Sequence, residues 1–166
     1  MDTAKLQKLL ITFEGRIGPM SLMQGTVAVF VVAIVINLLG IAVPFISILG
    51  IALLYPLFCL YAKRFHDGGK PAIWTLAVVA GVFIGSMILS AILTPLFVGD
   101  MFAAAMRGES VTGMGWRLKS FVLGVLISGL TYFGAAFIVN HFVKADAEAN
   151  AYGEPVEDAT SMNPLG

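Results

Sequence analysis

Long apolar runs, separated by short polar stretches, set the pattern of this chain. Four of them matter: Met20 to Val43, Phe45 to Ala62, Ala72 to Phe97 and Phe121 to Val143. As α-helices they would reach about 36, 27, 39 and 35 Å, against a bilayer hydrocarbon core of about 30 Å. None contains Asp, Glu, Lys or Arg, each of which opposes insertion at the centre of a membrane helix. Ahead of them, Leu6, Leu9, Leu10 and Phe13 recur at helical spacing, with Lys5 and Lys8 off that face. Asp2 or Thr3 is placed to cap this short amphipathic helix and Gly15 to end it, so it is expected to lie along the membrane surface. The pattern predicts an all-α, polytopic transmembrane bundle of about four helices. Residues 1–19 form the amphipathic segment, 20–143 the transmembrane domain and 144–166 an acidic tail expected to be extended or disordered.

The connections carry their own signals. Spans one and two meet in an uncharged turn around Pro44. Spans two and three are joined by Lys63-Arg64-Phe65-His66-Asp67-Gly68-Gly69-Lys70-Pro71, where the glycine pair suits a turn and Pro71 suits the first turn of a helix. Between spans three and four, Asp100 is placed to cap a brief helix, Met101 to Arg107, closed by Gly108. The first run starts too late and runs too long for a signal peptide and lacks a small-residue exit, so it is read as a span.

Composition sharpens this picture. The 166 residues are 58% hydrophobic and 12% charged, with a mean hydropathy of +0.92, whereas soluble domains carry about 25% charged residues. Disorder needs the opposite balance, and an outer-membrane barrel needs alternating strands. The net charge of zero offers no basic field for nucleic acid. Four spans put both termini and the second connection on one side, which collects Lys5, Lys8, Arg16, Lys63, Arg64, Lys70 and Lys144. Arg107, Arg117 and Lys119 fall on the other. This bias places both termini in the cytoplasm.

Candidate packing surfaces follow from small residues, which let membrane helices approach closely. Span three offers Ala77, Gly81 and Gly85, and span four offers Gly124 and Ser128 on the stripe Ser120, Tyr132, Ala136 and Asn140. These stripes are expected to face each other, or to serve a homo-oligomer. Asn37 and Asn140 are expected to hydrogen-bond across helix interfaces. Candidate chemistry is thin. The central parts of the spans lack the ionisable residues of a proton path, and no phosphate-binding, dinucleotide, zinc-protease or nucleophile-elbow motif occurs. Cys59 has no evident base, and His66 and His141 fall short of a zinc ligand set. Neither a metal nor a cofactor is expected.

Three short blocks occur in order: Phe13-Glu14-Gly15-Arg16-Ile17, then Lys63-Arg64-Phe65-His66-Asp67-Gly68-Gly69-Lys70, then Asn150-Ala151-Tyr152-Gly153-Glu154-Pro155. Together they resemble the domain-of-unknown-function 805 family of small bacterial inner-membrane proteins, over about Phe13 to Pro155. The chain departs from that family in lacking aromatics soon after Gly15-Arg16 and in its longer connection between spans three and four. The resemblance implies a polytopic inner-membrane protein and supplies no activity and no catalytic residues. In the topology above all three blocks land on the cytoplasmic face, where Arg16, Arg64, His66, Asp67, Asn150 and Tyr152 form a candidate polar cluster. Asp67 is the acid of its connection, and Arg16, whose planar fork holds both carboxylate oxygens, is its expected partner. The basic residues after span two suit a collar at a helix C-terminus, facing anionic headgroups. The leading expectation is a non-enzymatic interaction or accessory protein whose cluster binds anionic lipid headgroups or a membrane-protein partner. An oligomeric channel or transporter subunit is the alternative, and a membrane enzyme acting on headgroups comes third.

Overall fold

The computed structural model describes residues 3–109 and 113–156. It consists of five α-helices and one 3-10 helix: α1 Thr3–Ile11, α2 Pro19–Ala42, the 3-10 helix Pro44–Leu53, α3 Leu54–Asp67, α4 Trp74–Met106 and α5 Met114–Phe142. Four segments are long and apolar enough to cross a bilayer: Pro19–Ala42, Ile48–Asp67, Trp74–Met101 and Met114–Phe142. Their outer faces expose Leu, Ile, Val and Phe, among them Phe83, Leu96 and Phe137. Water would penalise such a surface, and a hydrocarbon solvent does not.

Pro19 starts α2 from an extended Gly18, and α2 stops at Val43, which is extended ahead of Pro44, as the residue before a proline prefers. Span two then begins as a ten-residue 3-10 helix. The apolar run Phe45 to Ala62 is short as pure α-helix. With the 3-10 rise over Phe45 to Leu53 and the α rise beyond, it lengthens to about 31 Å, enough for the hydrocarbon core.

Span two also ends later than the sequence pattern suggests. α3 continues through Lys63, Arg64, His66 and Asp67, all buried, so these residues belong to a helix and not to a connection. The turn itself is tight: Gly68 and Gly69 donate to the carbonyls of Phe65 and His66, and Gly69 takes a positive φ of 66°, which glycine tolerates without strain. The brief helix expected from Met101 is the far end of α4, which bends at Val98 (φ −135°, ψ 16°), three residues after Pro95. Gly108 closes it at φ 75°. α5 starts at Met114, seven residues before the apolar run. That brings Arg117 and Lys119 into the helix: Arg117 donates to the Ile41 carbonyl at the end of α2, and Lys119 faces Asp100 at 3.4 Å.

α5 packs against both α2 and α4, and α1 lies along α3. The α2–α5 seam uses Gly129 against Phe30, with Phe30 edge-on to Phe133 at 5.3 Å. α2 meets α3 at Gly25, where an added Cβ would lie 2.3 Å from a methyl of the fully buried Leu60. The core of Leu22, Val29, Leu57, Leu60, Tyr61, Phe65, Ala136, Val139 and Val143 sits toward the end of the bundle where α2 begins and α3 and α5 finish.

Candidate functional site

At that same end the polar cluster assembles. Arg16 lies on the connection from α1 to α2, and Asp67 is the last residue of α3. The expected pair is present: Arg16 Nε donates to Asp67 Oδ1 at 3.1 Å, with both side chains essentially inaccessible. Arg64, one turn earlier on α3, donates to the other carboxylate oxygen at 2.6 Å. One carboxylate thus bridges two guanidinium groups, an arrangement readable in part from the i, i+3 spacing of Arg64 and Asp67.

Two arginines and one aspartate leave an excess positive charge, and backbone carbonyls absorb it. Arg16 Nη1 donates to the carbonyls of Glu148 and Gly153, and Nη2 to those of Asp67 and Asp146. With Nε on the carboxylate, all five N–H groups of this guanidinium are engaged within the chain. Arg64 donates through Nε to Asn140 Oδ1 at 2.9 Å and through Nη2 to the Val143 carbonyl just beyond α5. The cations therefore sit at the carboxyl ends of α3 and α5, where the helix dipoles favour them. Asn140 also donates to the Pro19 carbonyl, so it ties α5 to both α3 and α2, as its interface role required. Asn37 instead donates to Ala33 of its own helix.

The acidic tail is folded onto this centre through residue 156, contrary to the extended or disordered expectation. Its backbone is drawn in by Arg16 and by Asp146 N–H donating to the Asp67 carbonyl at 2.8 Å. Asn150 donates to the His66 carbonyl and to Asp146 Oδ2, and accepts from the Tyr152 N–H. The Tyr152 ring stacks on His66, centroids 3.9 Å apart and planes 2° from parallel. His66 Nδ1 lies 3.2 Å from the Gly15 carbonyl, a contact that is attractive when that nitrogen carries the proton. All six residues of the candidate cluster therefore meet, drawn from three distant parts of the chain. Residues 157–166 of the tail lie outside the described residues.

Burial changes what this cluster does chemically. Lys63, Arg64 and His66 do not form an open collar toward headgroups. Lys63 donates to the carbonyls of Lys8 and Leu9 at 2.6 and 2.8 Å, closing the carboxyl end of α1, and Tyr55 donates to Ile11 nearby. The sequence pattern missed this role of Lys63, because the contact depends on α1 folding back along α3. Among the described residues no group of three His, Cys, Asp or Glu stands close enough to hold a metal.

The small-residue stripes of α4 and α5 face each other only in part. A Cβ added at Gly85 would lie 4.0 Å from the Thr131 methyl of α5, whereas one added at Gly81 would meet nothing within 4 Å. A Cβ added at Gly124 would lie 3.7 Å from Asn37 Oδ1 of α2, and Gly124 and Ser128 line a shallow groove with Ser86 and Ser90 of α4. α4 and α5 do pack together, with Gly85 opposite Thr131 and not along the whole stripe.

Comparison with protein-family models, with curated proteins and with solved structures finds no match to this chain.

Proposed function

We propose that this chain is a non-enzymatic protein of a bacterial inner membrane, with both termini cytoplasmic, that acts by interaction as an accessory subunit. On this reading the Arg16–Asp67–Arg64 centre is a clasp. It joins the ends of α2, α3 and α5 to the tail and so builds a rigid polar platform at the membrane surface. The observation that carries the reading is the complete use of the Arg16 donors within the chain. A guanidinium so occupied is unsuited to capturing a headgroup or activating a substrate, which favours a structural role over an enzymatic one. Contact with anionic headgroups or a protein partner then falls to the platform's exposed cations, Lys70 and Lys144, neither of which joins an ion pair among the described residues. The lysine-rich side of the chain and the resemblance to the domain-of-unknown-function 805 family support the inner-membrane, termini-in placement.

Two measurements test this. In a Cys59→Ala background, a cysteine at Glu154 should be shielded from an impermeant thiol reagent in intact cells and one at Glu109 labelled. The reverse pattern refutes the orientation. A photo-crosslinking side chain at Lys144 should give a discrete adduct in cells that Arg16→Ala abolishes. Ion flux through proteoliposomes of the purified protein, with no such adduct, would replace this reading by the oligomeric channel.

A further inference from the structure

α4 and α5 do not close against each other over their whole length. Between their clasp-side halves runs a groove of about 540 Å³, lined by residues from Trp74 to Leu89 on α4 and from Leu130 to Val139 on α5. That volume falls within the range of small-molecule sites. Along α4 the groove extends about 22 Å, more than one leaflet of hydrocarbon. Its floor is buried and made by Phe65, Thr131 and Val139, and its walls are held back by glycine and alanine. An added Cβ at Gly81 or Gly134 would meet nothing within 4 Å, so the space exists because side chains are missing there.

Trp74, Ile88, Leu130 and Ile138 stand exposed along the rims. A helix with its side chains is about 10–12 Å across, while packed helix axes lie about 8–10 Å apart. A third helix would therefore ride on those rims and leave the floor unfilled. A single hydrocarbon chain reaches it. Trp74 stands at the clasp-side mouth, where tryptophan suits the boundary between hydrocarbon and headgroups. Lys70 lies four residues before it, and Lys144 follows α5 on the same side; both are exposed. The nearby carboxylate of Asp146 accepts from Asn150 and faces Gly69, so it is already engaged in the turn.

We propose that this groove is a binding site for one acyl chain of an anionic phospholipid, whose phosphate is held at the mouth by Lys70 and Lys144. The inference rests on the proposed contact of Lys70 and Lys144 with anionic headgroups and extends it into the membrane; a clasp that only orders the tail would leave the groove unused. Hydrocarbon is no better solvated in the groove than in bulk lipid, so preference arises from fit along the glycine walls and from the two charges. Each lysine near the surface contributes about fivefold toward an anionic headgroup.

The test is native mass spectrometry of the full chain, titrated with phosphatidylglycerol and phosphatidylcholine of identical acyl chains. The wild type should retain one phosphatidylglycerol at least tenfold more strongly than phosphatidylcholine. Gly81→Leu and, independently, Gly134→Leu fill the groove and should abolish that bound lipid while helicity and melting remain as in the wild type. The double variant Lys70→Gln/Lys144→Gln should keep a lipid but bind both headgroups alike. Equal retention of the two lipids by the wild type overturns the proposal. So does undiminished phosphatidylglycerol binding in both folded leucine variants. A change from dimer to monomer mass on filling the groove would assign it to a second copy of the chain and would equally overturn it.

Discussion

Replacing Asp67 by alanine removes the carboxylate that two buried guanidinium groups share, and the structure lets the consequence be worked through. In Asp67→Ala, Arg16 and Arg64 remain at 1–2% side-chain exposure with no counter-charge between them. Breaking a buried pair from one side costs about 3–5 kcal/mol, a large share of a total stability of roughly 5–15 kcal/mol. Arg16→Ala should cost less, about 2–3 kcal/mol, since hydrogen bonds to charged groups contribute about 1.5–3 kcal/mol and water can replace the lost donors. Asp67 keeps Arg64 as its partner, and the carbonyls of Glu148 and Gly153 hydrogen-bond on the exposed side of the clasp. The double variant leaves Arg64 alone with Asn140 and Val143 as acceptors, which removes the repulsion that the Asp67 variant creates. Its cost should fall short of the sum of the singles by about 1–3 kcal/mol, as directly coupled neighbours show. Denaturant titration in mild detergent, followed by circular dichroism, measures all four corners of the cycle. Additivity within about 0.5 kcal/mol would mean the residues act separately, and losses of only about 0–1 kcal/mol each would place the pair in solvent. Either result refutes the clasp.

Two further outcomes follow from the geometry. Lys63→Met withdraws both hydrogen bonds from the carboxyl end of α1, costing about 1–3 kcal/mol locally; limited proteolysis should then cut before Ile11 sooner than in the wild type, and equal cutting rates would show that packing alone holds α1. Gly85→Leu should lower the melting temperature in detergent by forcing α4 off Thr131, whereas Gly81→Leu, facing open space, should leave it unchanged; equal shifts in both would contradict the wedge between the helices.

The apolar runs made the four spans legible because a bilayer demands apolar length with an internally satisfied backbone, and both leave a linear trace. Their boundaries were less legible. Span two carries Lys63, Arg64, His66 and Asp67 on its last turn, and charge density reads as a connection when the partners lie 50 or more residues away. The three motif blocks pointed to a common face, and the pairing of Arg16 with Asp67 followed from their charges and geometry. The sharing of Asp67 by Arg64 was readable in part from their i, i+3 spacing; the capture of tail carbonyls was not, because a backbone acceptor carries no signature in residue identity.

The packing of the spans shows the same division. Glycine and alanine spacing announces that helices approach closely, yet the same spacing suits any neighbour. Gly124 meets α2, Gly85 meets α5, and Gly81 meets neither. The linear order of residues determined that this chain crosses a membrane as a helical bundle and gathers its motif blocks on one face. Tertiary structure alone decided which glycines close a seam and which open a groove, and it turned a set of surface charges into a buried clasp. The physical reason is that hydropathy is a property of each residue, whereas a hydrogen-bond partner or a cavity is a property of where distant segments come to rest.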